Sequence, residues 1–424
     1  VSNMHFVATK LIAINISVAV ILILLAFSVI FIQHSQDYHT HEYAQILISV
    51  LGLGGLDFLL ISILSFFIQT VSPNRYIGFA IMVVFYIFDA YVAVPLLQHN
   101  LLIYGGAPQY FYSDMMGYSD NIGPFLLFKT FWLLAAILLV QAATLLWQRG
   151  NVGTSIISWA RVRLISKPSR FSVIVAAFTL VLGSYIFYNT NILNTFLSPA
   201  QAEKRQYDYE VSYRMYSEVS QPAIEEILLD IELYPELRRA NGDIIYTLRN
   251  ISDEPIHGFF LNIDFEQVEN AIFDRSAELV ESNEYLGIQR YKLEVPLSPG
   301  EAIEARFKLT SERTGFSNAG YSHQVQANGT FYRPRLPTFG YDRAREISNN
   351  RSRRRLKLPL RDDVLEREDL LGQAQSFLGQ GVGFIDMTIT VGTKGTQTAF
   401  APGDLIDTFY EGDRAYFTYQ NTTP

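Results

Sequence analysis

The chain has 424 residues, no cysteine, 49% hydrophobic residues, 17% charged residues and a formal net charge of −8. The lack of cysteine excludes disulfide frameworks, thiol catalysis, zinc–cysteine sites and iron–sulfur clusters, and the apolar content is too high for a disordered chain. The charge is uneven: residues 1–199 carry eight Lys/Arg against six Asp/Glu, and residues 200–424 carry twenty-five against thirty-five, so an acidic half follows an apolar one and nucleic acid is not an expected partner.

Five stretches are apolar over the roughly 20 residues that a bilayer crossing needs: about 11–33, 44–70, 76–98, 124–147 and 171–190. They predict an all-α transmembrane bundle over residues 1–197, with the lipid bilayer as partner. The first stretch is too long for a signal peptide and leads into further spans. Loop 34–43 holds Asp37 and Glu42 and no Lys or Arg, and loop 99–123 holds Asp114 and Asp120 and again no Lys or Arg. Loop 71–75 carries Arg75, and loop 148–170 carries Arg149, Arg161, Arg163, Lys167 and Arg170. Positive loops stay in the cytoplasm. The N-terminal end with Lys10 is then inside, and residues 198–424 are expected on the extracytoplasmic side.

Three charges fall within the spans. Asp57 and Asp89 each lie about thirteen residues into their span, and Lys129 lies early in the fourth. An uncompensated charge at mid-membrane costs about 2.5–3.5 kcal/mol on insertion scales, so each is expected to face protein or water and to have a partner. Asp57, Asp89 and Lys129 form the candidate intramembrane polar site, either as hydrogen bonds between packed helices or as part of a transport path or subunit contact. Lys129 can pair there or extend its ammonium to the outer surface. His34, Asp37, His39, His41 and Glu42 in the first outer loop are metal-ligand types in no known ligand spacing, and a solvated loop is expected. The second outer loop holds Tyr104, Tyr110, Phe111, Tyr112 and Tyr118. These read as an interfacial aromatic belt, or as a re-entrant lid turning at Gly105, Gly106 and Pro108.

After the fifth span, residues 198–221 read as a helical stalk with Tyr209, Tyr213 and Tyr216 on one face. Residues 222–424 then read as a mostly β extracytoplasmic domain, a saddle-like or sandwich sheet. Strands are expected at 227–234, 243–249, 258–265, 288–295, 302–309, 383–391, 396–401 and 414–420, and one helix at about 363–378. Ala240-Asn241-Gly242 and Ser298-Pro299-Gly300 are expected turns. The run Arg351, Arg353, Arg354, Arg355 and Lys357 is an anion or head-group patch or, as expected, a solvated loop. No internal repeat stands out.

Catalytic motifs are missing. No phosphate-cradling G-x-x-x-x-G-K-[ST] loop occurs, and His41-Glu42 opens H-E-x-x-H but meets Gln45 where the second His belongs. There is no G-x-S-x-G elbow. The sequence contains no self-sufficient catalytic or metal site, and no cofactor is expected within this chain.

Several words of sequence together resemble a known family. They are Gln98-His99-Asn100-Leu101, Tyr104-Gly105, Tyr112-Ser113-Asp114-Met115-Met116-Gly117-Tyr118, and Phe187-Tyr188-Asn189-Thr190-Asn191-Ile192-Leu193-Asn194. Further on come Asn328-Gly329-Thr330-Phe331, Gly340-Tyr341-Asp342, the Arg-rich segment to Asp362-Asp363, Ala401-Pro402-Gly403-Asp404 and Tyr416-Phe417-Thr418-Tyr419. In this order they resemble bacterial fusions of a type-two-class ABC transporter permease with an aminopeptidase N-like zinc metallopeptidase. The resemblance implies later permease spans in residues 1–199 and the saddle-like N-terminal peptidase domain in residues 222–424. It further implies a bacterial cytoplasmic (inner) membrane, a separate ATPase subunit, and zinc only in a catalytic domain missing here, where it would polarise a peptide carbonyl and activate water. The family's Gly-x-Met-Glu-Asn-like and H-E-x-x-H motifs do not occur in this sequence, so no catalytic or zinc residue carries over. The chain begins at Val1, with its first Met at Met4, and is expected to be a fragment with permease spans upstream and the catalytic domain downstream. The alternative is a non-enzymatic, membrane-anchored binding or spacer module.

Overall fold

A computed structural model describes residues 3–40, 42–114, 117–118, 121–147, 169–312, 314–320, 325–326, 329–361 and 385–421. The chain forms two compact units, one of residues Val1–Phe196 with Gly315–Ser322, the other of Leu197–Thr314 with His323–Pro424.

The first unit is helical. Its elements are α1 (Asn3–Ser35), α2 (Tyr43–Val71), α3 (Arg75–Leu97), α4 (Ile122–Leu146) and α5 (Arg170–Leu193), all long and apolar enough to cross a membrane. Each coincides with one of the five expected stretches, with ends displaced by a few residues. Apolar side chains point outward along their length, such as Phe27, Phe79, Val84 and Leu180. A helix that is apolar all round suits a surrounding of lipid. Local chemistry sets the starts: Asn74 caps α3 by accepting from the Tyr76 and Ile77 amides, and Ser169 caps α5 by accepting from Ser172. The helix α4 packs against α2 and α5, and α1 packs against α2 and α4. Small residues permit the close approach. Ala136 and Ala143 of α4 are fully buried, and at Gly183 of α5 a Cβ would come within 2.9 Å of the Phe131 ring. Asn3 and Lys10 of α1 meet Trp147 just past the end of α4, through a hydrogen bond and a cation–π contact. The start of the first span and the end of the fourth thus share one end of the bundle, as alternating spans require.

Three π-helical turns interrupt the spans, at Ile48–Leu53, Asp89–Ala93 and Tyr188–Leu193. Such turns commonly sit at functional positions.

The second unit is mostly β. It opens with α6 (Pro199–Tyr213), whose Ser198 and Gln201 form a capping box ahead of Pro199. Eleven described strands follow: β1 (Ala223–Tyr234), β2 (Arg239–Arg249), β3 (Ile256–Asn262), β4 (Ile272–Phe273), β5 (Ala277–Asn283), β6 (Ile288–Leu297), β7 (Ala302–Glu312), β8 (Thr338–Phe339), β9 (Asp386–Lys394), β10 (Asp404–Glu411) and β11 (Arg414–Gln420). Seven form a sheet in the order β10-β11-β9-β1-β2-β7-β4, and four form a second sheet in the order β5-β6-β3-β8. All pairs are antiparallel except β1 with β9. Leu229, Ile244, Tyr246 and Phe307 of the larger sheet and Phe259, Leu261, Tyr291 and Leu293 of the smaller one share one buried core. The alternation of buried and exposed residues along β1, β2 and β7 is the period-two pattern of strands covered on one face.

Four sequence expectations change. Ala240-Asn241-Gly242 is part of β2, and the reversal occurs one step earlier, at Pro235–Leu237 with Arg238 in the left-handed region. Gly242 serves close approach of strands, since a Cβ there would stand 2.3 Å from the Asp230 carbonyl oxygen. Residues 396–401 form no strand, and β10 begins at Asp404 instead. The segment read as a stalk is a helix packed within the β unit: Tyr209 and Tyr213 are buried with Phe260, Leu286 and Ile288. Tyr216 joins their packing from a short 3-10 turn. The Arg-rich run is not a loop: it forms α7 (Asn350–Leu356), with Arg353 fully buried and Arg351, Arg354 and Arg355 exposed. Ser298-Pro299-Gly300 is the expected turn, with Gly300 at φ +76°. The helix expected at 363–378 and most of loop 148–170 lie outside the described residues.

Arg353 donates to Glu210 of α6 through Nη1 at 3.0 Å and Nη2 at 2.5 Å, to the Pro359 carbonyl at 2.6 Å and to the Ile347 carbonyl at 2.7 Å. Both side chains are 1% exposed. Beside them, Tyr209 stacks on Tyr341 with centroids 5.2 Å apart, and Arg345 lies over the Tyr209 ring. Burial pushes the Tyr209 hydroxyl up to about 12, so it stays a neutral donor and acceptor.

Candidate functional site

The charged and polar side chains of the helical unit converge where α2 and α4 meet the loop after α3. Gln98 takes the left-handed region at φ +49°, which ends α3. The loop then curls tightly: at Gly106 a Cβ would fall 2.9 Å from the carbonyl oxygens of Asn100 and Ile103. Gly105, at φ +75°, turns its carbonyl towards Lys129 of α4.

The Lys129 ammonium donates to the Asp57 carboxylate of α2 and, at 2.6 Å, to the Gly105 carbonyl. Lys129 is buried and the Asp57 side chain is half exposed. Two of the three expected charges therefore meet, and Lys129 pairs within the protein. Asp89 stands apart in the second π-helical turn and has no ion-pair partner among the described residues. The loop is further tied down by aromatic side chains. The Tyr104 hydroxyl donates to the Leu60 carbonyl at 3.0 Å, its ring meets Trp132 edge-on at 5.2 Å, and Trp132 Nε1 donates to the Asn100 carbonyl at 3.1 Å. Tyr110 packs on Phe125, and Tyr118 shares a 2.8 Å hydrogen bond with Ser49 in the first π-helical turn. These tyrosines hold the loop onto helix ends, while Phe111 and Tyr112 are exposed.

His99, to which the sequence assigned no role of its own, is buried. Its Nδ1 accepts from the Leu101 amide at 3.2 Å, and its Nε2 lies 3.3 Å from Thr190 Oγ1 in the third π-helical turn. The Thr190 hydroxyl itself donates to the Ile186 carbonyl, and Asn191 Nδ2 lies 3.1 Å from the same Nε2, so both ring nitrogens sit within one polar network. Burial lowers the His99 pKa below the ordinary value. A group whose protonated form is disfavoured in the native state stabilises above its unfolded pKa of about 6.5 and loses that contribution as pH falls towards the native pKa. Thermal melts of the helical unit should therefore drop between about pH 7.5 and about pH 5. His99→Gln should flatten that part of the profile, and an unchanged profile would remove His99 as the cause.

Loop 34–43 meets loop 99–123 at a cleft of about 280 Å³ lined by residues including Tyr38, Glu42, Gln45, Ser49, Tyr112 and Asp114. Among the described residues no group of three or more His, Asp or Glu could hold a metal ion, and His41 lies outside them.

One feature had no sequence signal at all. Residues Gly315–Ser322 follow β7 in the chain but belong to the helical unit. Phe316 is buried with Phe128 and Ile186, and Asn318 hydrogen-bonds to Gln98 and Asn100.

No protein-family model and no curated protein matches this chain. Among solved structures it is similar to a mutant M1 zinc metallopeptidase from Deinococcus radiodurans bound to a Tyr-Ser-Ala substrate. The identity is 15% and the TM-score 0.28, over 48% of this chain and 40% of that one. It is likewise similar to a two-domain M1 zinc metallopeptidase mutant bound to L-arginine, at 15% identity and a TM-score of 0.29, over 49% of this chain and 41% of that one. The chain spans about 40% of the length of these proteins. A likeness of this grade does not fix a function.

Proposed function

We propose that this chain is the membrane-embedded, permease-like part of a larger polypeptide, and that its β unit is the N-terminal support of a zinc aminopeptidase on the extracytoplasmic side of a bacterial inner membrane. The observation that carries the reading is the ordered set of sequence words running through both units of one chain. Two of these words, Gln98-His99-Asn100 in the loop after the third span and Thr190-Asn191 in the fifth, meet at the His99 ring. The lack of Lys and Arg in both loops 34–43 and 99–123 supports the outward placement. In this reading the peptide chemistry and its zinc belong to the catalytic domain. This chain anchors that domain, and an ATPase subunit joins from the cytoplasm.

The test is expression of the complete reading frame in membranes. Hydrolysis of an aminoacyl-aminomethylcoumarin is expected, lost with 1,10-phenanthroline and regained with zinc, while residues 1–424 alone show none. A tag after residue 424 should be cut by external protease in intact spheroplasts. An inactive complete product would favour the second reading, a non-enzymatic anchored module. The exposed edge strand β10 favours that alternative, since Leu405, Ile406, Phe409 and Tyr410 are all exposed on it, and an open edge can take up an extended peptide.

A further inference from the structure

We propose that the turn Gly315–Gly320 is a latch that holds the loop 98–106 and, through it, the Lys129–Asp57 pair. The turn is self-organised: Ser317 and Gly320 exchange backbone hydrogen bonds of 2.9 Å, and the Ser317 hydroxyl donates to the Gly320 carbonyl at 2.8 Å. Its side chains engage the helical unit as a bound peptide would. Asn318 accepts from the Asn100 amide at 2.9 Å through Oδ1, accepts at its own carbonyl from Asn100 Nδ2 at 2.7 Å, and donates through Nδ2 to the Gln98 carbonyl at 2.7 Å. Phe316 inserts between Phe128 and Ile186. Gly315 permits the approach, since a Cβ there would stand 2.3 Å from Asn189 Oδ1 of the third π-helical turn.

The contacts continue without a gap. The Asn100 carbonyl accepts from Trp132 of α4, and the same short loop ends in Gly105, whose carbonyl holds Lys129 beside Asp57. A loop of few residues held at both ends responds as one piece, so removing the Asn318 contacts frees the segment that presents Gly105. The physical warrant for coupling is a discrete element that both sites bias. The loop 98–106 is that element, biased at one end by the turn and at the other by Lys129, whether or not the peptidase reading holds.

The experiment measures amide hydrogen exchange of the full chain in lipid nanodiscs. Asn318→Ala should raise exchange in residues 98–106 by about tenfold or more, as loss of one to two hydrogen bonds implies, with β1 unchanged as evidence of folding. The effect should shrink in a Lys129→Met background, where the far end of the loop is already released. Because the chain has no native cysteine, a Cys pair made by Asn100→Cys with Asn318→Cys offers the converse: reduced, it exchanges fast, and a disulfide formed between the two should restore protection of 98–106. Faster exchange confined to 315–320, or additive effects of Asn318→Ala and Lys129→Met, would overturn the latch and leave a passive tether. If the Cys pair does not restore protection when oxidised, the proposal fails in the same way.

Discussion

Arg353→Met should destabilise the β unit by about 3–5 kcal/mol, the usual cost of removing one partner of a buried ion pair. Glu210 would keep its charge in a site where its side chain is 1% exposed, with only the half-exposed Arg214 left to donate to it. The Ile347 and Pro359 carbonyls would lose their donor as well. Denaturant unfolding of the detergent-solubilised chain, followed by exchange protection of β1 and β2, measures the loss. Adding Glu210→Leu should recover most of it, because a well-packed apolar pair can replace a buried ion pair at little cost. A loss below about 1 kcal/mol, typical of exposed pairs, would mean that water reaches this site.

Lys129→Met should have the second large effect, on the helical unit. The ammonium is the shared donor for Asp57 and for the Gly105 carbonyl. Its removal leaves a carboxylate within a membrane span without its cation, an imbalance of about 2.5–3.5 kcal/mol on insertion scales, and leaves one carbonyl unpaired. Detergent-resistance melts of the nanodisc-reconstituted chain should shift accordingly. Asp57→Asn in the Lys129→Met background should regain part of the loss, since a neutral amide needs no counter-charge. Asp89→Asn should move the melt little, because Asp89 stands outside the pair. Equal shifts for Asp57→Asn and Asp89→Asn would contradict the pairing seen here.

The spans were legible because a bilayer imposes a length and a composition that any window of sequence reveals. The strands with one covered face were legible by alternation, as in Ile227 to Tyr234. The failures were of another kind. Asn241-Gly242 carries a strong local turn signal, yet close packing against Asp230 claims that glycine for a strand interior. The short strands β4 and β8 have only two residues each, too few for any period. In the Arg-rich run, five cations suggest a solvated surface, and nothing local distinguishes Arg353, whose partner Glu210 is 143 residues away.

What began as 424 residues with 17% charge and no cysteine resolves into two physical regimes. By itself, the sequence determined the five spans and the acidic β unit that follows them, since these depend on composition and short-range periodicity. Tertiary structure alone decided which charges meet. It paired Lys129 with Asp57 and left Asp89 apart, buried Arg353 against Glu210, and returned the Gly315–Gly320 turn to the helical unit. Each of these depends on side chains far apart in the chain. Their geometry is set by the packing of whole helices and sheets, which no short window of sequence contains.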